Sequence, residues 1–238
     1  MSRLILASKS PRRFELLSMT GLSFEVQDAH VDEDAIVEGI LRERAGAGDA
    51  AATADSCAGQ VVTDGAGEAD VPSLPPMYVT AEKICCALAS AKAAAVLRKS
   101  ATDGEVPDPD LLVLGSDTVV VTEDEILGKP KDEDDARRML AKLSGKTHRV
   151  YTGVSIQSKK DDHVFSSFAD VKFHDYDAVQ KALIESYIAS GSPMDKAGAY
   201  GIQDTGSLLI DSIIGDYYAV VGLPVAQVYR ALRGIMES

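Results

Sequence analysis

The ten residues Leu4-Ile5-Leu6-Ala7-Ser8-Lys9-Ser10-Pro11-Arg12-Arg13 constrain the chain most. Leu4 to Ala7 is an apolar run short enough to be a buried strand. Ser10 suits a helix N-cap, and Pro11 suits the first helical position, where its missing N–H would be unpaired anyway. Pro11 to Met19, with Phe14, Leu16 and Leu17 to bury, reads as a helix. Arg12 and Arg13 fall in the first helical turn, where the helix dipole disfavours cations. Free backbone N–H groups, the Ser8 and Ser10 hydroxyls and two guanidinium groups would there surround a phosphate or another anion well. The same pair also suits an ordinary surface helix start.

An anion site has to be built against the charge of the whole chain. The 238 residues carry a formal net charge of −13, with a pI near 4.7. Such a chain is a poor general binder of nucleic acid or of anionic membrane. A hydrophobic content of 45% indicates a globular protein with ample core. No run of about 20 apolar residues suggests a membrane span, and the N-terminus lacks a signal-peptide pattern. Cys57, Cys85 and Cys86 offer neither a disulfide framework nor metal-ligand spacing, which fits a reduced, cytoplasmic setting.

Beyond the first helix, Phe24 to Gln27 looks like a strand, and Val31-Asp32-Glu33-Asp34 gathers three carboxylates before a helical pattern at Ile36, Val37, Ile40 and Leu41. Asp34 is the expected N-cap. Glu33 is a candidate metal ligand, although acids in a first turn are also favoured by the helix dipole. From Ala45 to Pro76 the composition shifts to Ala, Gly, Asp, Ser and Thr, as expected of a low-complexity insertion forming a loop or weak hairpin. Thr80 to Lys99 is a long helix with Ile84, Leu88, Ala91 and Ala95 on one face. Lys92 borders that stripe, so it either snorkels to solvent or points into a cleft.

After a polar loop at Ser100–Asp110, the buried-type strand Leu111–Leu114 runs into Gly115-Ser116-Asp117-Thr118. Ligands of open α/β sheets lie beyond the carboxyl ends of strands. Gly115 would let another group come close to the backbone. Val119-Val120-Val121 resumes at once, so Asp117 lies in extended structure, where aspartate is disfavoured; it is placed to hold a metal ion or a water. Gly128 and Pro130 bracket Lys129, and Asp132 caps a helix that ends at Gly145. His148–Gln157 and Val164–Phe173 read as strands of a hairpin, Asp177–Ser190 as a helix, Ser207–Ile213 as a strand and the segment after Pro224 as a last helix. Asp195-Lys196-Ala197-Gly198-Ala199-Tyr200-Gly201-Ile202-Gln203 has glycines suited to close contact with a ligand. Lysines and arginines around an aspartate suit phosphoryl transfer, where a protein mainly positions groups and offsets charge.

Six motifs, in order, resemble those of the Maf family of nucleotide pyrophosphatases. They are Leu4–Arg13, Gly115–Val120, Leu127–Lys131, Leu143–Gly153, Asp195–Gln203 and Val220–Pro224. The resemblance spans a single domain, 1–238, and omits only the 45–76 insertion and the Ser100–Asp110 loop. It implies an α/β fold, with a mixed elongated sheet, flanking helices and two lobes around a cleft, like that of inosine-triphosphate pyrophosphatases. It also implies a homodimer and a requirement for Mg²⁺ or Mn²⁺. Catalysis would fall to Asp117, Lys92 and Lys129. Substrate would be bound by Ser8, Ser10, Arg12, Arg13, Thr118, Lys196 and Gln203, and metal by Asp117 and Glu33. A strong metal ligand and a free general base are competing roles for Asp117, and both stay open. The Tyr-Gly-Ile-Gln ending looks like the subgroup acting on dTTP and UTP, giving the monophosphate and pyrophosphate. The alternatives are a 7-methyl-GTP-preferring member, or a non-catalytic nucleotide-binding regulator of septum formation. Two departures stand out: Ser90-Ala91 replaces the family's frequent Arg-Glu before Lys92, and Ser116 replaces its usual alanine.

Overall fold

The computed structural model describes residues 3–47, 74–102 and 110–237. Its spine is β3, Leu111–Val121, eleven residues long and almost wholly buried. Around it a seven-stranded mixed sheet runs in the order β2 (Glu25–Val26), β1 (Arg3–Leu6), β3, β5 (Thr147–Gln157), β6 (Asp162–Phe173) and β7 (Ile210–Gly215). The two-residue β4, Ile126–Leu127, also pairs with β3. β1 is parallel to its neighbours; every pairing beyond β3 is antiparallel.

One edge of β3 is covered continuously by β5 from Val113 to Val121. The other edge is shared. β1 takes Leu111–Leu114, and β4 takes Val120 and Val121. Between them Gly115–Val119 has no strand partner on that side among the described residues. β1 is parallel to β3 and β4 is antiparallel, so the loops that follow both run toward the middle of this gap. Asp117 stands at its centre. The sequence places Asp117 at a strand's end. As also expected from Val119–Val121, it lies within extended structure: β3 runs on through it, and the strand end beside the gap is that of β1.

Alternation along the strand sends Val113, Gly115, Asp117, Val119 and Val121 to one face. There they meet α3, Pro76–Thr102. Leu112, Leu114, Ser116, Thr118 and Val120 face the opposite layer. That layer holds α1 (Pro11–Ser18), α4 (Glu133–Leu143), α5 (Ala178–Ala189), α6 (Tyr217–Val221) and α7 (Val225–Glu237). The remaining helix, α2 (Glu33–Ala47), packs on α3 through Ile36, Val37 and Ile40.

α3 approaches the sheet closely because two glycines let it. A Cβ on Gly115 would lie 2.1 Å from Ala89 O, and one on Gly153 would lie 2.4 Å from Cys85 C. The group that approaches Gly115 is therefore a helix backbone. This contact also sets which side of α3 is buried: Ala89, Ala93 and Val96 are covered, while Ala91 and Ala95 are half-buried. Cys85 and Cys86 are buried, as small residues on this helix.

Other local differences have similar causes. The N-cap of α2 is Asp32, not Asp34: the Asp32 carboxylate accepts from Ala35 N–H at 3.0 Å, which places Glu33 in the first turn. Asp132 caps α4 as expected, accepting from Asp135 N–H, and Asp177 caps α5, accepting from Gln180 N–H. Thr205–Leu209 forms a short 3₁₀ turn, so β7 starts at Ile210 rather than at Ser207. α6 was hidden in an apolar run; Asp216 caps it through Tyr218 and Ala219 N–H. Of the expected insertion, residues 48–73 lie outside the described residues, as do 103–109 of the expected polar loop. Residues 45–47 end α2, Pro76 opens α3 and residues 100–102 end it, whereas Asp110 is a turn that leads straight into β3. Among the described residues no helix is long and apolar enough to cross a membrane.

Candidate active site

The gap in the β3 edge opens into a cleft of about 1150 Å³. All eleven residues singled out from the sequence line it. The cleft has as many basic as acidic lining side chains, six of each, in a chain with 24 basic against 37 acidic residues. Cationic groups are thus concentrated locally, as an anionic ligand requires.

On the α3 face, Lys92 does not snorkel to solvent. Its Nζ lies 2.5 Å from Asp117 Oδ1 and 2.7 Å from Glu33 Oε1. The close seat of α3 on Gly115 and Gly153 brings Lys92, one helical turn after Ala89, against the strand, and the Asp32 cap delivers Glu33 from α2. Two carboxylate oxygens therefore converge on the Lys92 ammonium. Asp117 and Glu33 are hard-oxygen donors of the kind that would hold Mg²⁺ or Mn²⁺. No group of three or more potential metal-ligating side chains occurs among the described residues.

Beyond β1 the chain turns into α1. Ser10 sits at the N-cap position with extended backbone, but its side chain makes no capping bond. Ser8 Oγ accepts from Ser10 N–H at 3.2 Å. Arg12 reaches Asp195 Oδ2 at 3.5 Å, joining α1 to the Asp195–Gln203 segment. Arg13 is more of a strut. Its Nε donates to Gly222 O at 2.9 Å, while its two terminal nitrogens donate to Ser8 Oγ at 3.4 Å and Thr118 Oγ1 at 3.1 Å. Burial holds its pKa below the ordinary guanidinium value, with Asp117 pulling the other way. Three of the sequence motifs are tied together through this one side chain.

Thr118 is fixed from behind as well. Its Oγ1 lies 2.9 Å from Thr152 Oγ1, which donates to Ala219 O. Ser116, on the same face, donates to Gly222 O at 3.1 Å. Lys129 is exposed at the cleft wall. Its loop is held where Gly128 O accepts from Gly198 N–H at 3.0 Å. Gly198 has φ +68°, and a Cβ there would lie 2.9 Å from Val120 Cγ1. Glycine at this position therefore serves both a left-handed turn and tight packing.

Lys196 lines the cleft but is bound up with its own loop. Its Nζ contacts Ser192 O, Asp195 Oδ1 at 2.8 Å and Asp204 Oδ2 at 3.4 Å. Gln203 is exposed to the cleft. The sequence reading passes over the supports: Gly153, Thr152, Tyr187, Ser192 and Asp204. Thr152 and Gly153 lie inside a recognised motif, which was the available signal. Tyr187 reads in sequence only as a core position of α5.

The chain is similar to known proteins over nearly its whole length. The chain matches the Maf-like protein family over residues 3–235. A dTTP/UTP pyrophosphatase of Agathobacter rectalis is 41% identical over 239 residues, covering 98% of this chain and 97% of its own length. Relatives of the same name from Bacillus cereus and Bacillus thuringiensis are each 38% identical over 233 residues, covering 98% of this chain and 95% of theirs. The chain belongs to the Maf-like protein family.

Proposed function

We propose that this protein is a nucleoside triphosphate pyrophosphatase acting on dTTP and UTP. The observation that carries the reading is the Lys92–Asp117–Glu33 cluster in the β3 gap, beside the Ser8–Arg13 turn. The relatives' names support the same activity and the same bases.

In this reading the α1 start, with Ser8, Ser10, Arg12 and Arg13, receives the phosphates through backbone N–H groups, hydroxyls and guanidinium groups. Lys129 adds a positive charge from the opposite wall. The cluster's geometry suits water held against Asp117, which takes a proton as the oxygen attacks the α-phosphorus. The bond from that phosphorus to the bridging oxygen breaks, and pyrophosphate leaves. Lys92 orients the Asp117 carboxylate and offsets charge. A divalent ion held by Asp117 and Glu33 would further neutralise the triphosphate. Thr118 and Gln203 would read the pyrimidine edge, since both carry donor and acceptor groups. Lys196 would assist at the phosphates once released from its loop partners. The inosine-triphosphate-pyrophosphatase-like, two-lobed fold and the homodimer belong to the same proposal.

The test is a nucleotide panel with Mg²⁺ or Mn²⁺ and pyrophosphate as readout. dTTP and UTP are expected ahead of dATP, dGTP and 7-methyl-GTP. Comparable efficiency on 7-methyl-GTP would reject the base assignment. Binding without turnover on every nucleotide would favour a non-catalytic regulator.

A further inference from the structure

The turn that carries Gln203 is held from behind by a residue absent from the cleft wall. Tyr187, on the buried face of α5, is 2% exposed. Its hydroxyl oxygen accepts from Gly201 N–H at 3.0 Å and donates to Asp204 Oδ1 at 2.9 Å. One phenol therefore closes both ends of Gly201-Ile202-Gln203-Asp204. Asp204 is held by three more groups: Ser192 Oγ at 2.7 Å, Gly206 N–H at 2.9 Å and Lys196 Nζ at 3.4 Å. Packing leaves little slack. A Cβ on Gly206 would lie 3.0 Å from both Tyr187 Cζ and its hydroxyl oxygen. Ile202 is buried in the core, and Gln203 beside it faces the cleft.

A buried tyrosine needs a partner for its hydroxyl, and the fold offers a contrast. Tyr200 is paired with another core side chain, His148. Tyr187 instead engages the two ends of a cleft turn. Burial raises its pKa, and the hydrogen bond to Asp204 raises it further, so it remains a donor at neutral pH.

We infer that Tyr187 is a positioning residue for nucleobase selection, acting through the Gly201–Asp204 turn on Gln203 and touching no part of the substrate. The inference rests on the reading of Gln203 as the base-contacting group. An amide discriminates between base edges only while its donor and acceptor ends stay correctly aimed. Freeing the turn lets them swing.

Tyr187→Phe keeps the ring and removes the hydroxyl. Steady-state kinetics with dTTP and dATP on the parent, Tyr187→Phe, Gln203→Ala and the double variant form the test. Tyr187→Phe is expected to lower the dTTP-to-dATP ratio of kcat/KM by about three- to tenfold, the range one net hydrogen bond allows. The change should fall on KM for dTTP, and Tyr187→Phe should change the ratio no further in the Gln203→Ala background. An equal loss on both nucleotides overturns the inference, and so does a ratio change that persists undiminished without Gln203. If Gln203→Ala leaves the ratio unchanged, the reading of Gln203 falls first and this inference with it. If Gln203→Ala shifts the ratio and Tyr187→Phe does not, the inference alone falls. Should Tyr187→Phe not fold, Ser192→Ala removes another Asp204 donor and should lower the same ratio by a smaller factor. An unchanged ratio there also overturns it.

Discussion

Asp117 Oδ1 stands 2.5 Å from Lys92 Nζ, with both side chains only 11–12% exposed, and the pair joins the central strand to the longest helix. The contact exists because α3 rests on two glycines of the sheet. Chemistry and packing are therefore coupled here: whatever moves α3 moves the ammonium that orients the carboxylate.

Asp117→Asn keeps the shape of the side chain and removes its basicity. A positioned general base contributes typically about 10²–10⁴-fold, so kcat should fall within that range. Far-UV circular dichroism should remain that of the parent. A folded Asp117→Asn protein with near-normal kcat would shift the role elsewhere, with Glu33 the next carboxylate on the same lysine.

Gly115→Ala and Gly153→Ala test the coupling itself. Each added methyl would collide with the α3 backbone, which cannot step aside as a flexible side chain can. Overpacking costs typically about 1–3 kcal/mol, and these contacts belong at the upper end. Both variants should show a lower thermal midpoint and a lower kcat. If activity survived at full level in either, the close seat of α3 would not be what places Lys92.

His148 links stability to pH. Burial pushes its pKa down to about 3, with Asp170 opposing weakly, against an ordinary value near 6.5. Below pH 6.5 the unfolded chain therefore binds a proton that the folded chain refuses until about pH 3, and this group's contribution to stability falls through that window. Between pH 7 and 5 the loss amounts to about 2 kcal/mol. Urea denaturation should show His148→Gln losing less stability than the parent over that interval, whatever its stability at pH 7. Equal losses would mean that His148 is protonated in the native state.

Much of this was legible in the sequence. Strand-then-helix patterning at Leu4–Met19 and the two apolar runs Leu111–Leu114 and Val119–Val121 located β1, α1 and β3, because short-range periodicity decides them. Most site residues were legible within motifs, while Lys92 and Glu33 lie outside them and stood out as a lysine beside an apolar stripe and an acid before a helix. Their supports were not legible, because they depend on which layer each side chain meets. Gly153 looks like any strand glycine until α3 lies on it. The ends of α2 and β7 moved because competing acids and a 3₁₀ turn set them, a choice that local propensity does not resolve. The gap in the β3 edge is invisible in one dimension: it arises from where β1 stops and β4 starts.

The central claim is that water attacks the α-phosphorus of a pyrimidine nucleoside triphosphate in this cleft. Hydrolysis of dTTP in ¹⁸O-labelled water, followed by chromatography and mass spectrometry of the products, tests it most directly. The account predicts thymidine monophosphate and pyrophosphate, with the label in the monophosphate. Label in pyrophosphate, or release of orthophosphate with the diphosphate, would contradict it.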